Sequence, residues 1–350
     1  MTPEQNYLST MGWNAFFQSQ IETDEFETSS ARRVSHVHKN AILTIGEGGA
    51  TRLPISGAMA AHGIAVGDWI MVDDASGAPG RVLRRQTVLK RGAAGDQPSA
   101  QLIAANVDTL FIVSSCNADF NIARLERYLA LARQAQIAAV IVLTKADLCE
   151  QAADFRRRAE QALRGVLVEC VDATGAAVAA LLAPWCSDGR SVALLGSSGV
   201  GKTTLINALT GAGGLTRAIR EDDARGRHTT TARALYETTT GGWVIDTPGM
   251  RSLRLSDVAE GVAAVFADIA ELAKQCRFGD CAHGSEPGCA VQSAIGAGDL
   301  EAARLARWQK LQREDERHSE TLARGRARSR DLEKTYKAGR ARGKAKKPPF

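Results

Sequence analysis

No stretch of this 350-residue sequence stays apolar for the roughly 20 residues needed to cross a bilayer. The opening, Met1 to Gln20, is polar and aromatic and lacks the charged-then-apolar order of a secretory signal. A cytoplasmic protein with no membrane partner is therefore expected. Cysteine is sparse: seven residues, an odd number at uneven spacing, argue against a disulfide framework. Cys116, Cys149, Cys170 and Cys186 read as ordinary reduced thiols. Acidic charge is scarce only at one end. From Arg304 onward, 16 Lys and Arg face 6 Asp and Glu, so a +10 tail follows a body of −5. A basic tail on an acidic body points to a polyanionic partner, nucleic acid being the simplest; a solvated charged helix is the plainer reading.

The length allows two or three domains. Residues 1–34 carry an aromatic cluster, Trp13, Phe16 and Phe17, and an acidic run; docking on a later domain and disorder fit equally well. Residues 35–95 read as short strands at Arg33–His38, Ala41–Ile45, Thr51–Ile55, Asp68–Asp73 and Gly80–Leu89, punctuated by glycines. That pattern fits a small OB-like barrel, which serves either nucleic acid or protein contact. Arg81, Arg84, Arg85, Lys90 and Arg91 around its last strand tilt the expectation toward phosphate contact. After a linker over 96–105, strands and helices alternate, predicting a mainly parallel sheet covered on both faces.

Gly196-Ser197-Ser198-Gly199-Val200-Gly201-Lys202-Thr203 follows an apolar strand, Ser191–Leu195, and opens a helix. Strand, glycine loop, lysine and hydroxyl form a phosphate-binding loop. Its glycines let backbone N–H groups point at phosphate oxygens, Lys202 reaches the β- and γ-phosphates, and Thr203 binds Mg²⁺. Trp243–Ile245 ends in Asp246-Thr247-Pro248-Gly249. An Asp at such a strand end holds Mg²⁺ through water, and Gly249 can offer its N–H to a γ-phosphate and so sense hydrolysis. Val140–Leu143 ends in Thr144-Lys145-Ala146-Asp147, the [Asn/Thr]-Lys-x-Asp guanine reader. Asp147 accepts from the guanine N1–H and amino group, which adenine lacks. Thr144 stands where Asn is commoner, and Val171-Asp172-Ala173 is a loose match to the loop that supports the base, through the Ala173 N–H.

The guanine motif comes before the phosphate loop, the reverse of ordinary GTPases, so the connectivity is circularly permuted. Residues 211–233 read as a mobile switch loop. Thr230 is the favoured Mg²⁺ ligand among Thr229–Thr231. Met250 stands where many GTPases place a water-orienting Gln, and His228 is the best local substitute. The missing Gln implies slow hydrolysis without a partner. Cys276-x4-Cys281-x-His283-x5-Cys289 offers four ligands for a closed, structural Zn²⁺ site. A long helix from Asp299 to about His318 precedes the Arg/Lys-rich end.

The permuted order, Gly226–Thr230 (Gly-Arg-His-Thr-Thr) and the zinc pattern together resemble the ribosome small-subunit-dependent GTPase family (RsgA, also called YjeQ). Asp119-Phe120-Asn121, Arg124–Tyr128 and Val66-Gly67-Asp68-Trp69 resemble it too. The resemblance implies a multidomain fold: an N-terminal extension (1–34), an OB-like barrel (35–95), a circularly permuted GTPase domain (100–255), a zinc-binding helical domain (256–318) and a basic tail (319–350). It extends phosphate contact to Gly196–Thr204, guanine contact to Thr144–Asp147, and the water-orienting role to His228. It implies one structural Zn²⁺, Mg²⁺ with GTP, and a monomer whose partners are GTP, GDP, the small ribosomal subunit and its rRNA. The function implied is GTP hydrolysis to GDP and phosphate in late small-subunit assembly, stimulated by that subunit. The alternatives are a GTP-gated RNA-binding module and a permuted GTPase acting on the large subunit.

Overall fold

The computed structural model describes residues 3–91, 101–211, 233–247 and 258–317. His228, Thr230, Gly249 and the basic tail lie outside the described residues. The chain divides into two compact units, Met1–Lys90 with Leu102–Ser252, and Arg91–Gln101 with Leu253–Phe350. No helix among the described residues is long and apolar enough to cross a membrane.

The first unit begins with three short helices, α1 (Pro3–Thr10), α2 (Ala15–Gln18) and α3 (Thr23–Thr28). Strands β1 (Ser29–Val37), β2 (Ala41–Gly46) and β3 (Gly49–Pro54), helix α4 (Gly57–His62), and strands β4 (Trp69–Asp73) and β5 (Pro79–Val82) follow. Next come β6 (Val88–Arg91), β7 (Gln101–Ala105), β8 (Thr109–Ser115), α5 (Ile122–Gln134), β9 (Ala138–Thr144), α6 (Ala152–Ala162), β10 (Leu167–Cys170) and α7 (Val178–Leu182). The unit closes with β11 (Ser191–Gly196), α8 (Lys202–Thr210), β12 (Ala234–Glu237) and β13 (Trp243–Asp246).

One sheet runs β10-β9-β8-β11-β13-β12-β1-β2-β3, with β4 added on β1 and β5 on β4. Neighbours from β10 to β13 are parallel. This is the mainly parallel sheet expected. Both faces of its central strands are covered, which is why β8 and β11 are buried at every position and carry the apolar runs Leu110–Val113 and Val192–Leu195. Phe111, Val113, Val142, Leu194, Leu205 and Leu209 form the heart of its core. A fully buried Leu or Phe is worth about 1.5–3 kcal/mol, so this cluster fixes the strand ends that carry the loops.

β12 is antiparallel to β13, and β1 joins β12 through His36 opposite Ala234. Beyond β1 the sheet is antiparallel, in the order β3-β2-β1-β4-β5. Val34, Ile42, Leu53, Ile70 and Val72 pack inside it with Met59 from α4. Its first strand begins at Ser29. The single strand expected over Gly80–Leu89 is two strands. Arg85 lies in the break: it turns inward and forks onto Asp68, Nε to Oδ1 at 2.6 Å and a terminal nitrogen to Oδ2 at 2.8 Å. β6 then leaves the sheet to pair with β7, inside the stretch expected as linker. The basic cluster is correspondingly less available to phosphate than its sequence suggests. Arg85 is spent on fully buried Asp68, and Arg81 bonds Glu25 and the Gln20 carbonyl.

The N-terminal segment is docked. Leu8, Met11, Trp13 and Phe17 are buried. Trp13 meets Trp69 edge-on, with ring centres 4.8 Å apart. The Trp243 indole N–H donates to the Thr10 carbonyl at 2.8 Å. Arg33, on β1, ties this segment to β11 and to the β7–β8 junction. It is 1 % exposed and donates to Met11 O, to Asn106 O at 3.3 Å and to Ser191 Oγ at 2.7 Å. Burial pushes it down to about 10, opposed by Asp108, because a low-dielectric site disfavours the charged form.

The second unit holds helices Ala259–Val265, Ala267–Ala273 and Ala290–Ala297 and a helix over 302–317. The single linker helix expected near Val258–Lys274 is broken at Phe266. Arg304 lies 4.7 Å over the Phe266 ring and bonds Val265 O and both oxygens of Asp268, which satisfies the break. Val262, Ile269, Val291, Leu305 and Leu311 make its core.

Candidate functional site

The phosphate loop leaves the end of β11. A Cβ on Gly196 would stand 2.3 Å from Val113 O, so only glycine lets β11 stay this close to β8 as the loop departs. Gly199 and Gly201 hold φ of +81° and +92°, and Gly201 caps α8. The Lys202 ammonium donates to Gly196 O at 2.8 Å and Ser197 O at 2.5 Å. It thus folds back over the loop and ties down the loop's own carbonyls. Thr203 and Thr204 are exposed, at the helix N-terminus where dipole and free N–H groups favour anions.

Asp246 ends β13, beside the loop. Burial raises its carboxyl above the usual range, opposed by Lys202 and the Thr247 N–H. The Thr247 hydroxyl donates to Leu194 O at 2.5 Å, which pins the segment after Asp246 to β11. Thr203 and Asp246 together offer the oxygen donors that Mg²⁺ prefers.

The guanine motif reaches the same place from β9. Thr144 is fully buried. Its hydroxyl donates to Val200 O at 2.5 Å, with Ser114 O at 3.1 Å. Lys145 adopts a left-handed backbone, φ +59°, and its ammonium donates to Gly199 O at 2.9 Å. Two consecutive residues of the motif therefore clasp the phosphate loop. Asp147 stands exposed in the Ala146–Leu148 turn. The loose support loop sits alongside: Ala146 N–H donates to Val171 O at 3.3 Å. Asp172 accepts from the Thr174 hydroxyl at 2.6 Å and N–H at 2.8 Å, and that hydroxyl first, then the N–H, hold its carboxyl below the usual range.

One contact had only the resemblance behind it in the sequence. Arg124, in the first turn of α5, donates to the Ser197 hydroxyl and pairs with Asp119 at 2.9 Å. The one local signal is Asn121, whose side chain caps α5 by accepting the Arg124 N–H at 3.0 Å and so sets where Arg124 emerges.

In the second unit, Cys276, Cys281, His283 and Cys289 place their ligand atoms within 4.8 Å of one another. Cys276 and Cys289 sulfurs are 3.8 Å apart, and each is 3.6 Å from His283 Nδ1. A tetrahedron with metal–sulfur bonds of about 2.3 Å sets its sulfurs about 3.8 Å apart. The donor set and spacing therefore fit a metal of the zinc type. Cys289 also caps the Ala290–Ala297 helix by accepting the Gln292 N–H at 3.4 Å. The Gln292 amide donates to His283 O at 2.6 Å, and Trp308 covers the imidazole at 5.5 Å between ring centres.

A guanine motif that precedes the phosphate loop in the chain yet clasps it in space defines a circularly permuted P-loop GTPase. The RsgA GTPase family model matches residues 82–256. A Mesorhizobium japonicum protein named small ribosomal subunit biogenesis GTPase RsgA is 49% identical over 316 residues, 89% of this chain and 91% of its own. A Vibrio vulnificus protein, small ribosomal subunit biogenesis GTPase RsgA 2, is 47% identical over 339 residues, 96% of each chain. The crystal structure of YjeQ from Thermotoga maritima superposes with a TM-score of 0.60 at 25% identity, covering 81% of this chain and 97% of that one. The chain belongs to the RsgA GTPase family and is a GTP-hydrolysing enzyme.

Proposed function

We propose that this enzyme hydrolyses GTP to GDP and phosphate on the maturing small ribosomal subunit, as its relatives' names describe for them. The observation that supports the site reading best is the double clasp of Thr144 on Val200 and Lys145 on Gly199. It holds guanine reading and phosphate binding at a fixed separation, which is what recognition of one nucleotide needs.

In this reading Asp147 accepts from the guanine N1–H and amino group. Lys145 covers the base with its stem, and Ala173 offers its N–H to the base carbonyl. Loop N–H groups from Gly196 to Thr204 and the Lys202 ammonium hold the phosphates. Thr203, Asp246 and Thr230 hold Mg²⁺, which supplies charge neutralisation on the β- and γ-phosphates. Gly249 senses the γ-phosphate, and His228 orients the attacking water in place of Gln. Without that Gln, hydrolysis is slow alone and depends on the ribosomal partner. Cys276, Cys281, His283 and Cys289 hold one structural Zn²⁺, whose complete ligand set leaves no open position for water.

The antiparallel sheet β3-β2-β1-β4-β5, with α4 packed on its core, supports an OB-like barrel. With the basic tail it grips rRNA. The protein acts as a cytoplasmic monomer. Cosedimentation with purified subunits in a non-hydrolysable GTP analogue tests this: association with the small subunit is expected, and exclusive association with the large subunit would reject it.

A further inference from the structure

We propose that Arg124, set by Asp119, positions the phosphate loop for GTP through the side chain of Ser197. Ser197 is the first loop residue after β11, so its orientation decides where the following N–H groups point. Two cations end on it. Lys202 holds its carbonyl at 2.5 Å, and Arg124 donates to its hydroxyl. Tyr128, one turn further along α5, is buried and shares the helix face of Arg124, since residues four apart lie on one face.

The Arg124 guanidinium is itself fixed. Its NH1 donates to Asp119 Oδ1 at 2.9 Å and lies 3.5 Å from Asp119 O. The second Asp119 oxygen is enclosed and takes no donor among the described residues, so Arg124 is the cation that answers this carboxylate. When Lys202 turns from Ser197 O to the phosphates, it gives up one tie on Ser197. Arg124 is a tie that does not have to move, because its partner is the Ser197 hydroxyl and not the carbonyl that the lysine releases. Arg124 is thus a positioning residue. It should set nucleotide affinity and KM while leaving the rate of bound GTP alone.

The inference rests on the GTP-site reading, and one titration separates the two. Fluorescent GDP and GTP analogues are bound to the full chain and to Arg124→Ala, Arg124→Lys, Ser197→Ala and the Arg124→Ala/Ser197→Ala double variant. Steady-state hydrolysis and thermal melting are followed in parallel. Losing a charge-assisted bond that sets the loop should weaken both nucleotides about tenfold. KM should rise in step, with kcat held within about twofold. Arg124→Lys keeps a cation on the same face and should recover part of the affinity. Ser197→Ala should cost Arg124→Ala little more, since the two act as one contact. Unchanged affinity in Arg124→Ala, independent multiplication of the two single effects, or a fall in kcat at unchanged KM would each overturn the proposal. A melting point lowered without a change in affinity would mark Arg124 as structural and overturn it too. If the unaltered chain itself bound no GTP, the site reading would fall first.

Discussion

Thr144→Val removes one hydroxyl from a side chain that no water reaches. Thr144 is fully buried, and its O–H donates to Val200 O at 2.5 Å. Valine keeps the shape, so the loss is polar rather than steric. A buried carbonyl stripped of its donor costs about 1–3 kcal/mol. That cost falls where β9 meets the phosphate loop, at Val200, which is 1 % exposed. Part of it appears as lost global stability, and part as a loop that must be reordered by each nucleotide. If half of it reaches the loop, GTP affinity falls by roughly twofold to twelvefold, since about 1.4 kcal/mol is a factor of ten. Fluorescent-nucleotide titration measures the affinity and calorimetry the stability. GTP affinity within twofold of the unaltered chain, with no change in melting, would refute the idea that Thr144 ties the two motifs together. Thr144→Asn is the companion test. Its longer amide still supplies a donor, so affinity should be kept.

Asp147→Asn should lose most GTP affinity and gain affinity for xanthosine triphosphate, whose ring carbonyl replaces the guanine amino group and accepts from the new amide; competition binding reads both. His228→Ala should slow hydrolysis while nucleotide binding survives, checked by single-turnover rates beside titration. Strong chelation, or Cys281→Ser, should lower the melting point of the second unit and release about one zinc per chain by elemental analysis, because a closed metal site contributes folding free energy. Burial raises the Asp246 carboxyl, so it takes up its proton at a higher pH than an ordinary aspartate. Mg²⁺-dependent GTP binding should therefore weaken on acidification before the usual aspartate range is reached. With Asp246→Asn that step of the pH profile should disappear.

The phosphate loop, guanine motif and metal knuckle were legible because each is a short run whose chemistry depends on spacing along the chain. The parallel sheet was legible for a related reason: strands such as β8 and β11, buried on both faces, carry apolar runs, Leu110–Val113 and Val192–Leu195. What stayed hidden depends on partners distant in sequence. Arg85 looks like a phosphate-facing cation until Asp68 is placed beside it with no solvent between. That pairing falls in the gap between the two strands into which Gly80–Leu89 divides. The N-terminal aromatics have no periodicity of their own, and their order comes from Trp69, Arg33 and Trp243, which meet only in the folded chain. Thr144 looked like a shortened guanine ligand, whereas its hydroxyl faces Val200, 56 residues away in the chain. Arg124 sits on a helix with an ordinary amphipathic pattern, and the Asn121 cap sets where it emerges without naming Ser197, 73 residues away, as its neighbour.

The central claim is that this nucleotide site waits for the small ribosomal subunit. The direct measurement is the GTP hydrolysis rate of the full chain alone, with purified small subunits, and with purified large subunits, at matched salt. A slow rate alone that rises at least tenfold with small subunits and stays flat with large ones is the predicted result. A rate unchanged by small subunits, or raised by large subunits alone, would contradict it.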